Sequence, residues 1–262
     1  MINNLIAIAK EAGEIIREGF GKNFTIEIKS NESNLVTEID KKSENHILNF
    51  IHKKYPTHNI LAEESGEYSS NSEYLWVIDP LDGTTNFAHH LPIFAVSIGL
   101  QKNGKTIAGV VYDVMMNQLY SAEPGSGAFC NGVKIKVSKG DSIRKAFLVT
   151  GFPYNIYENP NKSLEIFSEM IISTRAVRRL GSAAIDLCYV ALGVFDGFWE
   201  ELLNPWDISA GMLIVEEAGG MITDFNGSPI DIYSKQILAS NKLIHKEMIR
   251  IINDTINKPK AY

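Results

Sequence analysis

The sequence predicts a mixed α+β / α/β fold in which an N-terminal α+β lobe, residues 1–142, is followed by an alternating α/β lobe, residues 143–262. Three observations carry this. From Phe94 to Ser138 short β-rich runs follow one another as a meander with turn residues between them. Beyond about Ser142 strand-like runs alternate with helical ones. No Pro/Ser/Gly-rich or highly charged linker interrupts the pattern, so one compact body is expected.

The elements follow in order. Residues 1–20 place Ile2, Leu5, Ile6, Ala9, Ala12, Ile15, Ile16 and Phe20 at helical spacing among Lys and Glu, which makes an amphipathic helix and not a signal peptide. A second helix from about Thr37 to Lys54 turns Ile47, Leu48 and Ile51 inward and stops before Tyr55-Pro56, because the residue before proline avoids the helical region. Asn59 to Ala62 and Tyr74 to Ile78 read as buried strands, the first running into Glu63-Glu64 and the second into Asp79. In the meander, FAVSIGL and TIAGVVYD flank the turn Lys102-Asn103-Gly104-Lys105, and LYSAE and VKIKVS flank a Gly-rich turn containing Asn131-Gly132. Then come KAFLVT, a helix near 160–171, RAVRRL, a helix opened by Ser182, VFDGFWE, a helix opened near Asn204-Pro205, GMITD, QILAS and a final amphipathic helix. The closing NKPKAY is expected to fray.

Composition narrows the function. A chain of 262 residues, 45% hydrophobic, buries enough surface to fold without a metal staple, so any metal site is expected to be functional. The formal charge is −6, and Lys41-Lys42, Lys53-Lys54 and Arg178-Arg179 are the largest basic pieces, so nucleic acid is not an expected partner. No window approaches the roughly 20 apolar residues of a membrane span. Cys130 and Cys188 are far apart in the sequence and in unlike contexts, so the expected location is cytoplasmic, with both thiols reduced.

The most informative segment is Trp76-Val77-Ile78-Asp79-Pro80-Leu81-Asp82-Gly83-Thr84-Thr85-Asn86-Phe87. Two carboxylates three residues apart at a tight turn can converge on hard cations, and the Leu81 carbonyl can add a third oxygen. If Gly83-Thr84-Thr85 opens a helix, its free N–H groups suit a phosphate at the same place. The plain alternative is that Asp79 and Asp82 only shape a turn and cap a helix. An EF-hand loop is excluded because Leu81 stands where its next ligand belongs, and the same residue excludes the aspartyl-phosphate phosphatase pattern. Further acids sit in matching contexts: Asp40 after Leu35-Val36-Thr37, Glu63 before Glu64-Ser65, and Asp207 after Asn204-Pro205-Trp206. The helix Asp207 opens is apolar through Val215 and must be buried, so this acid lies near the interior, where it needs a partner. His89-His90 reads as loop packing, Cys188 as core, and Gly219-Gly220 as a helix end.

With these motifs the chain resembles the inositol monophosphatase family, whose Trp-x-x-Asp-Pro-x-Asp-Gly-Thr-Thr-Asn-Phe and later Pro-Trp-Asp signatures both occur here. Glu63-Glu64-Ser65, Leu35-Val36-Thr37-x-x-Asp40 and Gly181-Ser182-Ala183-Ala184 extend the resemblance over essentially the whole chain. It implies a layered αβαβα sandwich of the sugar phosphatase type and a phosphatase using two or three Mg²⁺. By position it makes Glu63, Asp79, the Leu81 carbonyl, Asp82 and Asp207 the metal ligands, and Glu63, Thr84 and Asp40 the catalytic group around the attacking water. Asp82, Gly83, Thr84, Ala183, Glu200 and Asp207 would hold substrate, with Glu200 or adjacent Glu201 against the sugar ring. Lys29 and the loop to Asp40 match a closing segment that supports a further magnesium. Ala62 replaces a common Gly and Asn34 a frequent Asp, and neither removes a ligand.

The resemblance further implies a homodimer, sensitivity to lithium, and hydrolysis of a small phosphate monoester, foremost myo-inositol monophosphate, by direct in-line attack of water without a phosphoenzyme. Fructose 1,6-bisphosphatase, NADP phosphatase, histidinol phosphate and 3′-phosphoadenosine phosphate phosphatase activities are the alternatives on the same fold. A non-catalytic metal-binding regulator is the alternative of another class.

Overall fold

The computed structural model describes residues 1–29, 34–158 and 160–258. Part of the loop expected to close between Lys29 and Asp40, residues 30–33, and the last four residues of the expected fraying tail lie outside them. The first part comprises helix α1 (Ile2–Gly19), strands β1 (Ile26–Ile28) and β2 (Leu35–Thr37), helix α2 (Glu38–Lys54), strands β3 (Asn59–Ala62), β4 (Gly66–Tyr68) and β5 (Tyr74–Asp82), and the short helix α3 (Thr84–Ala88). The meander follows as β6 (Ala95–Lys102), β7 (Lys105–Asp113), β8 (Gln118–Glu123), β9 (Gly127–Cys130) and β10 (Val133–Ile135). The rest contains β11 (Phe147–Thr150), α4 (Ser163–Ser173), β12 (Ala176–Arg178), α5 (Ala183–Ala191), β13 (Gly197–Glu201), α6 (Pro205–Glu217), β14 (Met221–Thr223), β15 (Gln236–Ser240) and α7 (His245–Asn257).

An eight-stranded sheet runs in the order β10-β9-β8-β7-β6-β5-β3-β4 and is antiparallel except where β3 lies parallel to β5. A five-stranded sheet runs β12-β11-β13-β15-β14, with β11 parallel to both neighbours and β15 antiparallel to both of its own. Alternation sorts the core into layers. Trp76 and Ile78 of β5 face α1 and α2 with Leu5, Ile16, Ile47 and Ile51, whereas Val77 faces the opposite core, with Ile185, Leu187 and Ile214 of α5 and α6. A third core packs α4 and α7 on the outer face of the smaller sheet through Ile166, Met170, Met248 and Ile252. The molecule is therefore an αβαβα sandwich whose middle layer is α5 and α6. Each fully buried aliphatic side chain in these layers contributes about 1.5–3 kcal/mol.

Helix α6 shows why its sequence looks apolar on every side. Residues Ile208 to Val215 are all buried, which suits a helix covered by a sheet on each face. It approaches the larger sheet at two glycines: a Cβ on Gly109 would stand 2.9 Å from the Ala210 carbonyl, and one on Gly99 would collide with Ser209.

Sequence and structure differ at short or polar elements. Strands β1, β2 and β4 are three residues each, and β1 and most of β4 are exposed, so none carries a long apolar run to announce it. The Gly-rich turn of the meander resolves into two turns with β9 between them. Cys130 and Cys188, distant in sequence, both come beside Tyr120 and stand close enough to act on one another electrostatically.

Candidate active site

The site begins where β5 changes register. Its sequence suggested a strand ending at Ile78 and a tight turn carrying both aspartates; instead β5 continues to Asp82, and its pairing with β6 shifts between Asp79 and Asp82. Residues three apart on a regular strand face opposite sides, and this irregularity is what lets both carboxylates serve one place. Pro80 needs no ladder N–H there, and its carbonyl accepts the Ser43 hydroxyl of α2 at 2.9 Å. Asp79 Oδ1 accepts the Leu81 N–H at 3.0 Å. Gly83 then adopts φ 99°, and a Cβ there would meet the Ile93 carbonyl at 2.9 Å, so only glycine starts α3 in this way.

Neighbouring elements deliver the other acids. The parallel pairing of β3 with β5 sets Ala62 beside Ile78, and the Glu63 N–H donates to the Ile78 carbonyl at 3.2 Å, which brings Glu63 next to Asp79. Asp207 occupies the third position of α6 and accepts the Asn204 N–H at 2.7 Å in a capping box. Asp82 Oδ2 accepts the Ser182 hydroxyl and the Ala184 N–H, each at 2.7 Å, and so ties the larger sheet to the start of α5. Thr84 donates its hydroxyl to Asp40 Oδ1 at 2.9 Å and lies 3.1 Å from the Leu81 carbonyl, while Asp40 also accepts the Thr37 N–H and hydroxyl.

The electrostatics record this convergence. Burial, then Glu63, Asp82 and Asp207, drive the Asp79 carboxyl well above its usual range. Burial, then Asp82 and Glu63, do the same to Asp207. Asp82 is pushed up to about 6 by burial despite its bonds to Ser182 and Ala184, and burial raises Asp40 to about 6. Among the described residues no three His, Cys, Asp or Glu side chains close into a ready-made metal cage. The acids form a looser group within electrostatic range, and one cation already faces it: Lys29 Nζ lies 2.8 Å from Glu63 and also bonds Glu64. These carboxylates outweigh burial and raise the Lys29 pKa.

Beside the acids opens a cavity of about 490 Å³, a volume suited to a small organic ligand. Of the residues predicted from sequence, Asp82, Gly83, Ala183, Glu200 and Asp207 line it; Glu63, Asp79, Leu81, Thr84 and Asp40 do not, and connect to it through Asp82 and Asp207. Both adjacent glutamates line the cavity, and they differ in their ties. Glu201 bonds Ser163 and Gln236, while Glu200 is buried without such ties and is raised to about 8 by burial, partly offset by Arg179. Asp186, Arg179 and Tyr154 are among the wall residues that escaped the sequence reading as site residues. A signal existed for the first, the sole acid in the apolar helix AAIDLCYVA. His89, read as loop packing, lies exposed at the cavity rim, and His90 packs beside Phe20 and Phe24.

An αβαβα sandwich with clustered acids beside a cavity of small-ligand size fits a class, the phosphatases, and the similarity to known proteins identifies the group within it. The chain belongs to the inositol monophosphatase family, whose profile matches residues 1–257. It is 44% identical to "Phosphatase IMPL1, chloroplastic" of Arabidopsis thaliana over 251 residues, 93% of this chain and 67% of that one. It is 40% identical to "Nus factor SuhB" of Escherichia coli K12 over 259 residues, 98% of this chain and 97% of that one. Its structure matches an inositol monophosphatase from Anabaena with TM-score 0.88 and 41% identity, covering 97% and 95% of the two chains. A Thermotoga maritima IMPase matches with TM-score 0.88 and 38% identity, covering 96% of each.

Proposed function

We propose that the chain hydrolyses the phosphate monoester of a small polyol, with myo-inositol monophosphate as its foremost substrate, by direct attack of water. The observation that carries this reading is the clustering of Glu63, Asp79, Asp82 and Asp207 within electrostatic reach of one another, with Asp82 and Asp207 on the wall of a cavity that Glu200 also lines. Those acids and the Leu81 carbonyl are all hard oxygen donors, and their mutual repulsion is relieved by divalent cations, so they fit Mg²⁺, two or three ions per site. When bound, Mg²⁺ supplies Lewis-acid stabilisation of the phosphoryl charge and lowers the pKa of water.

The chain's own residues do the rest. Asp40 orients the Thr84 hydroxyl, and Thr84 with Glu63 positions the attacking water and takes its proton. The backbone at Gly83 and Ala183 faces the phosphate, and Glu200 accepts from a ring hydroxyl. Residues 1–142 supply Glu63, Asp79, Leu81 and Asp82, and residues 143–262, the second lobe, complete the site with Asp207, Ala183 and Glu200. We extend the reading to a homodimer in the cytoplasm that lithium inhibits. No helix is long and apolar enough to cross a membrane among the described residues.

Phosphate release with Mg²⁺, compared across inositol 1-phosphate, fructose 1,6-bisphosphate, NADP and 3′-phosphoadenosine phosphate, tests the reading. Inositol 1-phosphate is expected to give the highest kcat/KM. Solvent oxygen should enter the phosphate with inversion at phosphorus, and a trapped phosphoenzyme would sink the mechanism. Relatives named Nus factor support a second reading, a partner-binding role without turnover. Activity that persists unchanged in Glu63→Ala and Asp79→Asn would remove the assigned site; no activity in the native chain would favour this second reading.

A further inference from the structure

Asp186 is an acid without a visible task. It is the fourth residue of α5, only 1% exposed, and its Oδ1 has no hydrogen-bond partner among the described residues. The other aspartates buried as deeply all have donors: Asp40 has Thr37 and Thr84, Asp79 has the Leu81 N–H, and Asp113 has the Met116 N–H and Tyr189. Leaving a buried acceptor unmade is costly, and replacing it by an apolar group of similar shape would remove that cost. Yet Asp186 stands on the wall of the cavity within electrostatic reach of both Asp82 and Glu200, with Arg179 acting on it and on Glu200 alike.

The surroundings restrict what can complete this group. Burial, with Glu200 and Asp82 nearby, drives the Asp186 carboxyl well above its usual range, so a further anionic group is disfavoured beside it, and Arg179 already supplies positive charge. An apolar group leaves the Asp186 Oδ1 without a partner. A neutral O–H donor satisfies it without adding charge. Resting on the phosphatase reading above, we infer that Asp186 accepts a hydrogen bond from a substrate hydroxyl lying between the phosphate and the part of the ligand that meets Glu200. The residue thereby selects monoesters of polyhydroxylated alcohols over esters that carry no hydroxyl near the phosphate. A site built to bond a hydroxyl rejects the analogue lacking it strongly, because the buried acceptor is then left unpaired.

The test compares Asp186→Leu and Asp186→Asn with the native protein on inositol 1-phosphate and on phenyl phosphate. In Asp186→Leu the ratio of kcat/KM for the polyol ester to that for the aryl ester is expected to fall at least tenfold. Asp186→Asn keeps an acceptor oxygen and should restore part of that ratio. The unfolding midpoint of Asp186→Leu should rise by about 2 °C or more, because an unpaired buried acceptor is gone. A ratio within twofold of the native value overturns the inference, as does a parallel loss on both esters with a lowered midpoint. Calorimetric binding of inositol 1-phosphate gives a readout independent of turnover. A native protein that binds the ester without cleaving it, and binds tenfold more weakly as Asp186→Leu, supports this inference while removing the phosphatase reading. Cleavage with an unchanged ratio does the reverse.

Discussion

The Thr84 hydroxyl donates to Asp40 Oδ1 at 2.9 Å, across 44 residues of sequence and between α3 and the first turn of α2. Asp40 is fully buried and is held from its other side by the N–H and hydroxyl of Thr37. Asp40→Asn replaces with an amide NH₂ one of two oxygens that each accept at least one hydrogen bond. It should lower stability by about 1–3 kcal/mol and kcat by at least tenfold. Thermal melts and steady-state phosphate release check both, and a variant with native kcat would disconnect Asp40 from the reaction.

Asp79 is buried among Glu63, Asp82 and Asp207, so part of the folding free energy is spent on like charge. Asp79→Asn should raise the unfolding midpoint in chelator-treated buffer while abolishing measurable phosphate release. Adding Mg²⁺ should raise the native midpoint more than that of the variant, since ligands that bind only the folded state stabilise it. Equal shifts in both proteins would dissociate Asp79 from cation binding.

His245 is packed between Thr223 and Ser240, with its ring nitrogens 2.9 and 2.8 Å from their hydroxyls. Burial pushes its pKa down to about 4, below the ordinary 6.5. The unfolded chain therefore binds the proton first as pH falls, and stability is lost between pH 6.5 and 4, by on the order of 2 kcal/mol. His245→Gln should show a shallower fall over that window. Denaturant unfolding of the two proteins at pH 7, 5.5 and 4.5 measures it, and parallel curves would refute the assignment.

At Gly109 the strand β7 touches the backbone of α6, so Gly109→Ala must push the helix away from the sheet. The expected cost is about 1–3 kcal/mol. Because Asp207 stands at the N-terminal end of the displaced helix, kcat should fall too, although Gly109 touches no substrate. Loss of stability with native kcat would show that the helix moves without carrying Asp207 along.

Much of this was legible in the residues. Periodicity located both outer helices and the meander, because their apolar stripes are long. The paired aspartates, Glu63, Asp40 and Asp207 stood out because each ends or opens an apolar segment, where an acid has no local reason to be. What the chain did not disclose depends on pairing partners. The register shift that keeps β5 extended through Asp82 is a property of β5 against β6, and no pattern within Asp79-Pro80-Leu81-Asp82 encodes it. That Glu201 is tied and Glu200 is not depends on Ser163 and Gln236, residues remote in sequence. Asp186 was visible as an acid in an apolar helix, but its significance needed the wall opposite.

Helix α6 touches both sheets and carries Asp207 at one end, so the two halves of the molecule cannot slide past each other without moving that carboxylate. Asp82, bonded to the start of α5, adds a second tether across the same seam. Substitutions deep in either sheet will therefore register as changes in turnover, and a screen for rate will recover positions nowhere near the cavity.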